Sequence, residues 1–114
     1  MADDIVYVDV NEGSKRVLNN TKLFVKLLGR FKEDKSIDNI SAALESGDIA
    51  QAQIAAHTLK GLTANLSLSE LYKQCVELEA QMKTGSVKDG QFEIVKNVYE
   101  ITLTEVDKVI TQYA

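Results

Sequence analysis

No proline occurs anywhere in this chain, and only six of its 114 residues are glycine. Proline removes a backbone donor and clashes with the preceding helical turn, while glycine adds backbone freedom; both interrupt helices. A chain so poor in interrupters favours long helices, and its apolar residues recur at the spacings of three and four that put them on one helix face. From Thr21, read as an N-cap, these are Phe24, Leu27, Leu28 and Phe31, and after the polar Lys32–Ser36 stretch Ile37, Ile40 and Leu44. That pattern fits one bent helix or two. Ser46-Gly47-Asp48 supplies a glycine to end one helix and an aspartate to cap the next, which runs over residues 48–66. Ser67-Leu68-Ser69-Glu70 reads as a capping box, predicting that Ser67 starts a helix carrying Leu68, Leu71, Cys75, Leu78 and Met82, closed by Gly85. The last helix, about residues 91–113, aligns Phe92, Val95, Tyr99, Thr102, Val106, Val109 and Tyr113.

The first ten residues alternate partly like a strand, but nothing downstream offers a second strand, and a lone strand is not stable. They are expected to form an extended arm leading into a short helix near residues 12–19. Four amphipathic stretches joined by short loops are best buried as an all-α, antiparallel up-and-down four-helix bundle with a short extra N-terminal helix and arm. Residues 1–114 are expected to form one domain, with the arm and short helix in 1–20 and the bundle in 21–113.

A net charge of −4 argues against generic binding to nucleic acid or anionic membrane, both of which rest on basic patches. No apolar run is long enough to span a bilayer and no signal sequence opens the chain, so a cytoplasmic location is expected. The opening Met and a full set of helices lead to the expectation of a free-standing protein, with a monomer as the default. The one cysteine, Cys75, lies in an apolar stripe and is read as a small buried residue without a chemical role.

The 48–66 helix is the informative segment. With His57 at zero and about 100° per residue, Ile49, Ala52, Ala55, Ala56, Leu59, Leu62 and Leu66 fall between roughly 140° and 280°, nearly opposite the histidine. His57, the only histidine in the chain, should therefore face solvent. Around it lie Ala50, Gln53 and Ile54 before, then Lys60, Gly61 and Ala64 after, mostly small residues. A glycine inside a helix costs about 1 kcal/mol relative to alanine, so Gly61 one turn from an exposed histidine wants a reason. Either it lets two helices approach closely or it gives another protein clearance to reach the imidazole. A solvated imidazole, titrating near about 6.5, is mostly neutral at pH 7 and offers one nitrogen lone pair to an electrophilic phosphorus. A phosphoryl group there would bring a charge of about −2, which Lys60 would offset.

The run Ala56-His57-Thr58-Leu59-Lys60-Gly61-Leu62-Thr63-Ala64-Asn65-Leu66 closely resembles the His-x-Leu-Lys-Gly signature of histidine phosphotransfer (HPt) domains of multistep phosphorelays. Glu12-Gly13 with Lys15-Arg16, Leu23-Phe24 through Phe31, Leu44–Asp48 and Leu78-Glu79 also look like that family's pattern, so the resemblance spans the chain from about residue 9. It implies a phosphoryl carrier rather than an enzyme, with His57 phosphorylated and Lys60 and Gly61 supporting its setting. It also implies partner receiver domains with a phosphorylatable aspartate, and a hybrid sensor histidine kinase as a further candidate partner. Magnesium and the catalytic groups belong to the receiver in such systems, so no cofactor or metal is expected here. One departure stands out: family members often carry glycine ten residues after the histidine, and this chain has Ser67.

Two readings of other classes compete. A bundle binding haem or metal would need ligands facing the core, whereas the sole histidine faces outward, without a Cys-x-x-Cys-His or Glu-x-x-His pattern. An adaptor or scaffold bundle without phosphotransfer activity is the other, and the joint spacing of His57, Lys60 and Gly61 argues against it. No Gly-rich phosphate loop or paired catalytic carboxylates point to an enzyme.

Overall fold

The computed structural model describes residues 5–113 and is all-α: α1 (Val10–Arg16), α2 (Thr21–Phe31), α3 (Ser36–Glu45), α4 (Ile49–Asn65), α5 (Ser69–Lys83) and α6 (Gln91–Gln112). The polar Lys32–Lys35 stretch does separate two helices. α3 packs on α4, α4 on α5, α5 on α6 and α6 back on α2, while α1 lies against α2. The broken pair α2 and α3 thus shares the place of one bundle helix. Short turns joining helices that pack side by side, as between α3 and α4 and between α4 and α5, are those of antiparallel neighbours. An up-and-down four-helix arrangement accords with this pattern.

The sequence stripes meet in one core. Phe24, Leu28, Ile40, Leu59, Leu71, Leu78, Val95 and Val106 are essentially inaccessible to solvent. Truncating any one of the leucines to alanine should cost about 2–5 kcal/mol. In α6 the stripe turns inward as read at Val95, Thr102 and Val106, but Tyr113, at the C-cap, stands exposed.

At the N-terminus, residues 5–9 have no regular structure and α1 begins earlier than the 12–19 expected, capped by the Asp9 side chain. Residues 1–4 of the expected arm lie outside the described residues. Val8 and Val10 pack on the core, and the Asp9 amide donates to the Ser67 carbonyl, so this segment does lie over the α4–α5 end. Helix caps also shift: Asn20, not Thr21, accepts the free Leu23 amide, leaving the Thr21 hydroxyl to pair with that of Ser14.

The capping box at Ser67 does not form. Ser67 adopts the left-handed conformation (φ +54°) just beyond the end of α4. Its amide donates to the Ala64 carbonyl and the Leu68 amide to that of Thr63, the paired bonds of a Schellman C-cap. Leu68 takes the N-cap position of α5 without a side-chain hydrogen bond. Instead of capping, the Ser67 hydroxyl donates to Glu12 Oε1 at 2.8 Å, tying the α4–α5 turn to α1. A left-handed C-cap is where glycine is usual, because a side chain there is strained. This chain keeps the turn with serine and adds a bond to α1.

Candidate functional site

Helix α4 starts because Asp48 caps it, its side chain accepting from the Gln51 amide. Its inward face is largely as read from the sequence: Ala52, Ala56 and Leu59 are fully buried and Leu66 nearly so. Ile49, Ala55 and Leu62 are half-buried against the same core. The opposite face carries His57, whose side chain is 69% exposed. Ala50, Ile54 and Gly61 beside it are exposed, and Gln53, Lys60 and Ala64 are half-buried toward its flanks. All seven residues expected around the site therefore share one outward face.

Gly61 separates the two explanations offered for it. No atom of another element lies within 4 Å of where a Cβ would stand, so no neighbouring helix requires glycine there. The helix surface is open above Gly61. A groove of about 710 Å³ between α1, α2 and α4, lined by Leu27, Phe31 and Leu62 among others, shares no residue with this face.

The sequence reading assigned no role to Glu79, and the structure puts it at the centre of the site. Glu79 follows Leu78 on α5 and is 5% exposed at its side chain. Its two carboxylate oxygens divide: Oε2 lies 3.1 Å from His57 Nδ1 and Oε1 lies 2.6 Å from Lys60 Nζ. A buried carboxylate is costly unless paired. Burial pushes the Glu79 carboxyl up, but the Lys60 ammonium and the His57 ring outweigh it and hold the group below the usual carboxylate range. Lys60 is correspondingly raised, chiefly by its bond to Glu79.

An ionised carboxylate only accepts, so the Glu79 contact places a proton on His57 Nδ1. Nε2 is then left with its lone pair, on the side of the ring away from Glu79. The ring is held at one nitrogen and free at the other. Lys60, expected to offset a phosphoryl charge, is paired with Glu79 in the unphosphorylated protein. Cys75 offers no rival nucleophile, because burial pushes its thiol up to about 12.

The signal for Glu79 was present in part. It stands four residues after Cys75 and one after Leu78, both fully buried, so a helical projection puts a charge at the border of the α5 apolar stripe. What the projection lacks is the partner: only packing of α5 on α4 shows which side chains that charge meets.

A family model described as the Hpt domain matches residues 27–111, which is most of the chain. Comparison with curated proteins and with solved structures finds no match. Members of this family are histidine phosphocarriers of phosphorelays that interact with receiver domains and kinases. An outward histidine on an all-α bundle, anchored through one ring nitrogen, is in keeping with that match: the chain belongs to the Hpt domain family.

Proposed function

We propose that this protein carries a phosphoryl group on His57, taking it from and returning it to an aspartate of receiver domains in a two-component phosphorelay. The observation that carries the reading is the His57 ring itself, largely exposed yet bonded through Nδ1 to a buried carboxylate. A ring so held presents Nε2 as the nucleophile. In the transfer, Nε2 attacks the phosphorus of a receiver's aspartyl phosphate. The N–P bond forms as the acyl P–O bond breaks, and the electron pair leaves with the aspartate carboxylate. The chain contributes a positioned nucleophile and an unobstructed approach.

Gly61 and Ala64, with Ala50, Gln53 and Ile54, form the surface on which a receiver docks. Ile54, 61% exposed, is the apolar contact of that surface. The chain acts as a single domain and a cytoplasmic monomer that takes its phosphoryl group from a hybrid sensor histidine kinase or another receiver-bearing protein. No described helix is long and apolar enough to cross a membrane.

The test is to mix the protein with a panel of phosphorylated receiver domains and look for acid-labile, base-stable phosphate. Label is expected on the natural protein and none on His57→Gln. Equal labelling of the two would refute the assignment, and no label from any receiver would favour an adaptor role.

A further inference from the structure

The charge of this chain is not spread evenly. Residues 13–32 contain six cations, Lys15, Arg16, Lys22, Lys26, Arg30 and Lys32, and no aspartate or glutamate. The rest of the chain therefore holds seven cations against all seventeen anions. A net charge of −4 conceals a basic unit made of the later part of α1, the turn after it and α2. Such a patch attracts anions locally whatever the sign of the whole molecule.

This unit forms two walls of the groove between α1, α2 and α4. The groove exists because the chain breaks helix at Lys32–Lys35: α3 takes the main packing on α4, while α2 packs on α6 and α1. The space left, about 710 Å³, is within the range of small-molecule sites. Its lining is mainly apolar. Val17, Leu27 and Leu62 are half-buried there, and Phe31 and Leu66 are buried. Half-buried apolar side chains leave area in water that an occupant would remove from it.

Two guanidinium groups stand among these side chains, Arg16 from α1 and Arg30 from α2, both exposed residues. Arg16 is loosely held, its Nε 3.7 Å from a Glu12 oxygen that also accepts the Ser67 hydroxyl. Arg30 makes no ion pair among the described residues. Two anions, Glu33 and Asp34, also line the groove, where α2 gives way to α3. Neither pairs with an arginine. Asp34 is turned to α3, accepting the Ser36 amide at 2.9 Å.

We propose that this groove binds an amphiphilic carboxylate, its apolar body on Leu27, Phe31 and Leu62 and its carboxylate held by Arg30 and Arg16. A guanidinium matches a planar carboxylate with two parallel hydrogen bonds, and burial of the apolar body supplies the rest of the affinity. The occupant touches α4 at Leu62, Asn65 and Leu66, past Gly61, and leaves the His57 face open.

The test titrates ¹⁵N-labelled protein with dodecanoate below its micelle concentration, following amide and arginine resonances by NMR and stoichiometry by calorimetry. One dodecanoate per chain is expected, with the largest shifts at the groove and none at Ala50, Gln53 or His57. Dodecyltrimethylammonium keeps the chain and reverses the charge, while acetate keeps the head and lacks the chain; each should bind at least about tenfold more weakly. Arg30→Glu should weaken dodecanoate at least about tenfold, because it turns an attraction into a repulsion. Arg16→Gln should weaken it by less. Absence of saturable binding, shifts centred elsewhere, or equal binding of the cationic detergent overturns the proposal. Should Arg30→Glu lose its cooperative melt by circular dichroism, Arg30→Gln decides: unchanged affinity there overturns the proposal, and weakened affinity supports it.

Discussion

Gly13 and Gly61, both inside helices, show how differently one chain can use the same residue. Gly13, in α1, is buried, and a Cβ there would collide with the ring of Phe24, itself in the core. Gly61, in α4, is exposed and meets nothing. Both forgo the helix stability that alanine would bring, about 1 kcal/mol each. At Gly13 the return is internal, a close seat of α1 on α2. At Gly61 no contact among the described residues explains the loss, which the proposed docking of a receiver would. Gly29, inside α2, also meets nothing, so an open glycine alone marks no docking surface; at Gly61 it is the nearness of His57 that ties the opening to the proposed receiver contact.

The contrast can be broken by substitution at each position. The largest effect is expected for Gly13→Leu, where overpacking against Phe24 leaves no accommodation and the protein should lose its cooperative melt by circular dichroism. Gly13→Ala should destabilise by about 1–3 kcal/mol in urea unfolding, the usual penalty of an added methyl in a packed core. A neutral result there would mean that Phe24 yields easily and that the two glycines are less different than they look. Gly61→Leu should fold as the natural protein does but slow phosphoryl transfer from a receiver at least about tenfold, equivalent to about 1.4 kcal/mol. If transfer kept its rate, clearance would be the wrong explanation. Gly61→Ala should raise stability by up to about 1 kcal/mol with a smaller loss of transfer rate, setting stability against function at one atom. The smallest effect is expected for Ser67→Gly. Relief of left-handed strain and loss of the hydroxyl's bond to Glu12 oppose each other, and the net change in unfolding free energy should stay within about 1 kcal/mol.

Much of the fold was legible because helix periodicity is local. The apolar stripes of α2, α4 and α5 predicted the buried residues, and the projection of α4 turned His57 and its small neighbours outward, as found. The errors sit where a residue type suits two local roles. Serine followed three residues later by glutamate is a good capping box, yet Ser67 closes α4 in the left-handed conformation, because α1 lies over the turn and Glu12 takes the hydroxyl. Asn20 and Thr21 are both good caps, and the pairing of Thr21 with Ser14 on α1 assigns each its place. In both cases a long-range contact chose between local options of similar energy.

The same division runs through the site. By itself the sequence determined that the chain is helical, that His57 faces outward on a surface of small residues, and that Lys60 and Gly61 stand one turn away. All of these follow from spacing within a single helix. Only the tertiary structure decided what holds the ring. Glu79 lies 22 residues from His57, and its two oxygens find His57 and Lys60 only because α5 packs along α4. Spacing along one helix fixes directions about its axis. Meeting between helices depends on their mutual rotation and offset, which are set by how the whole core packs.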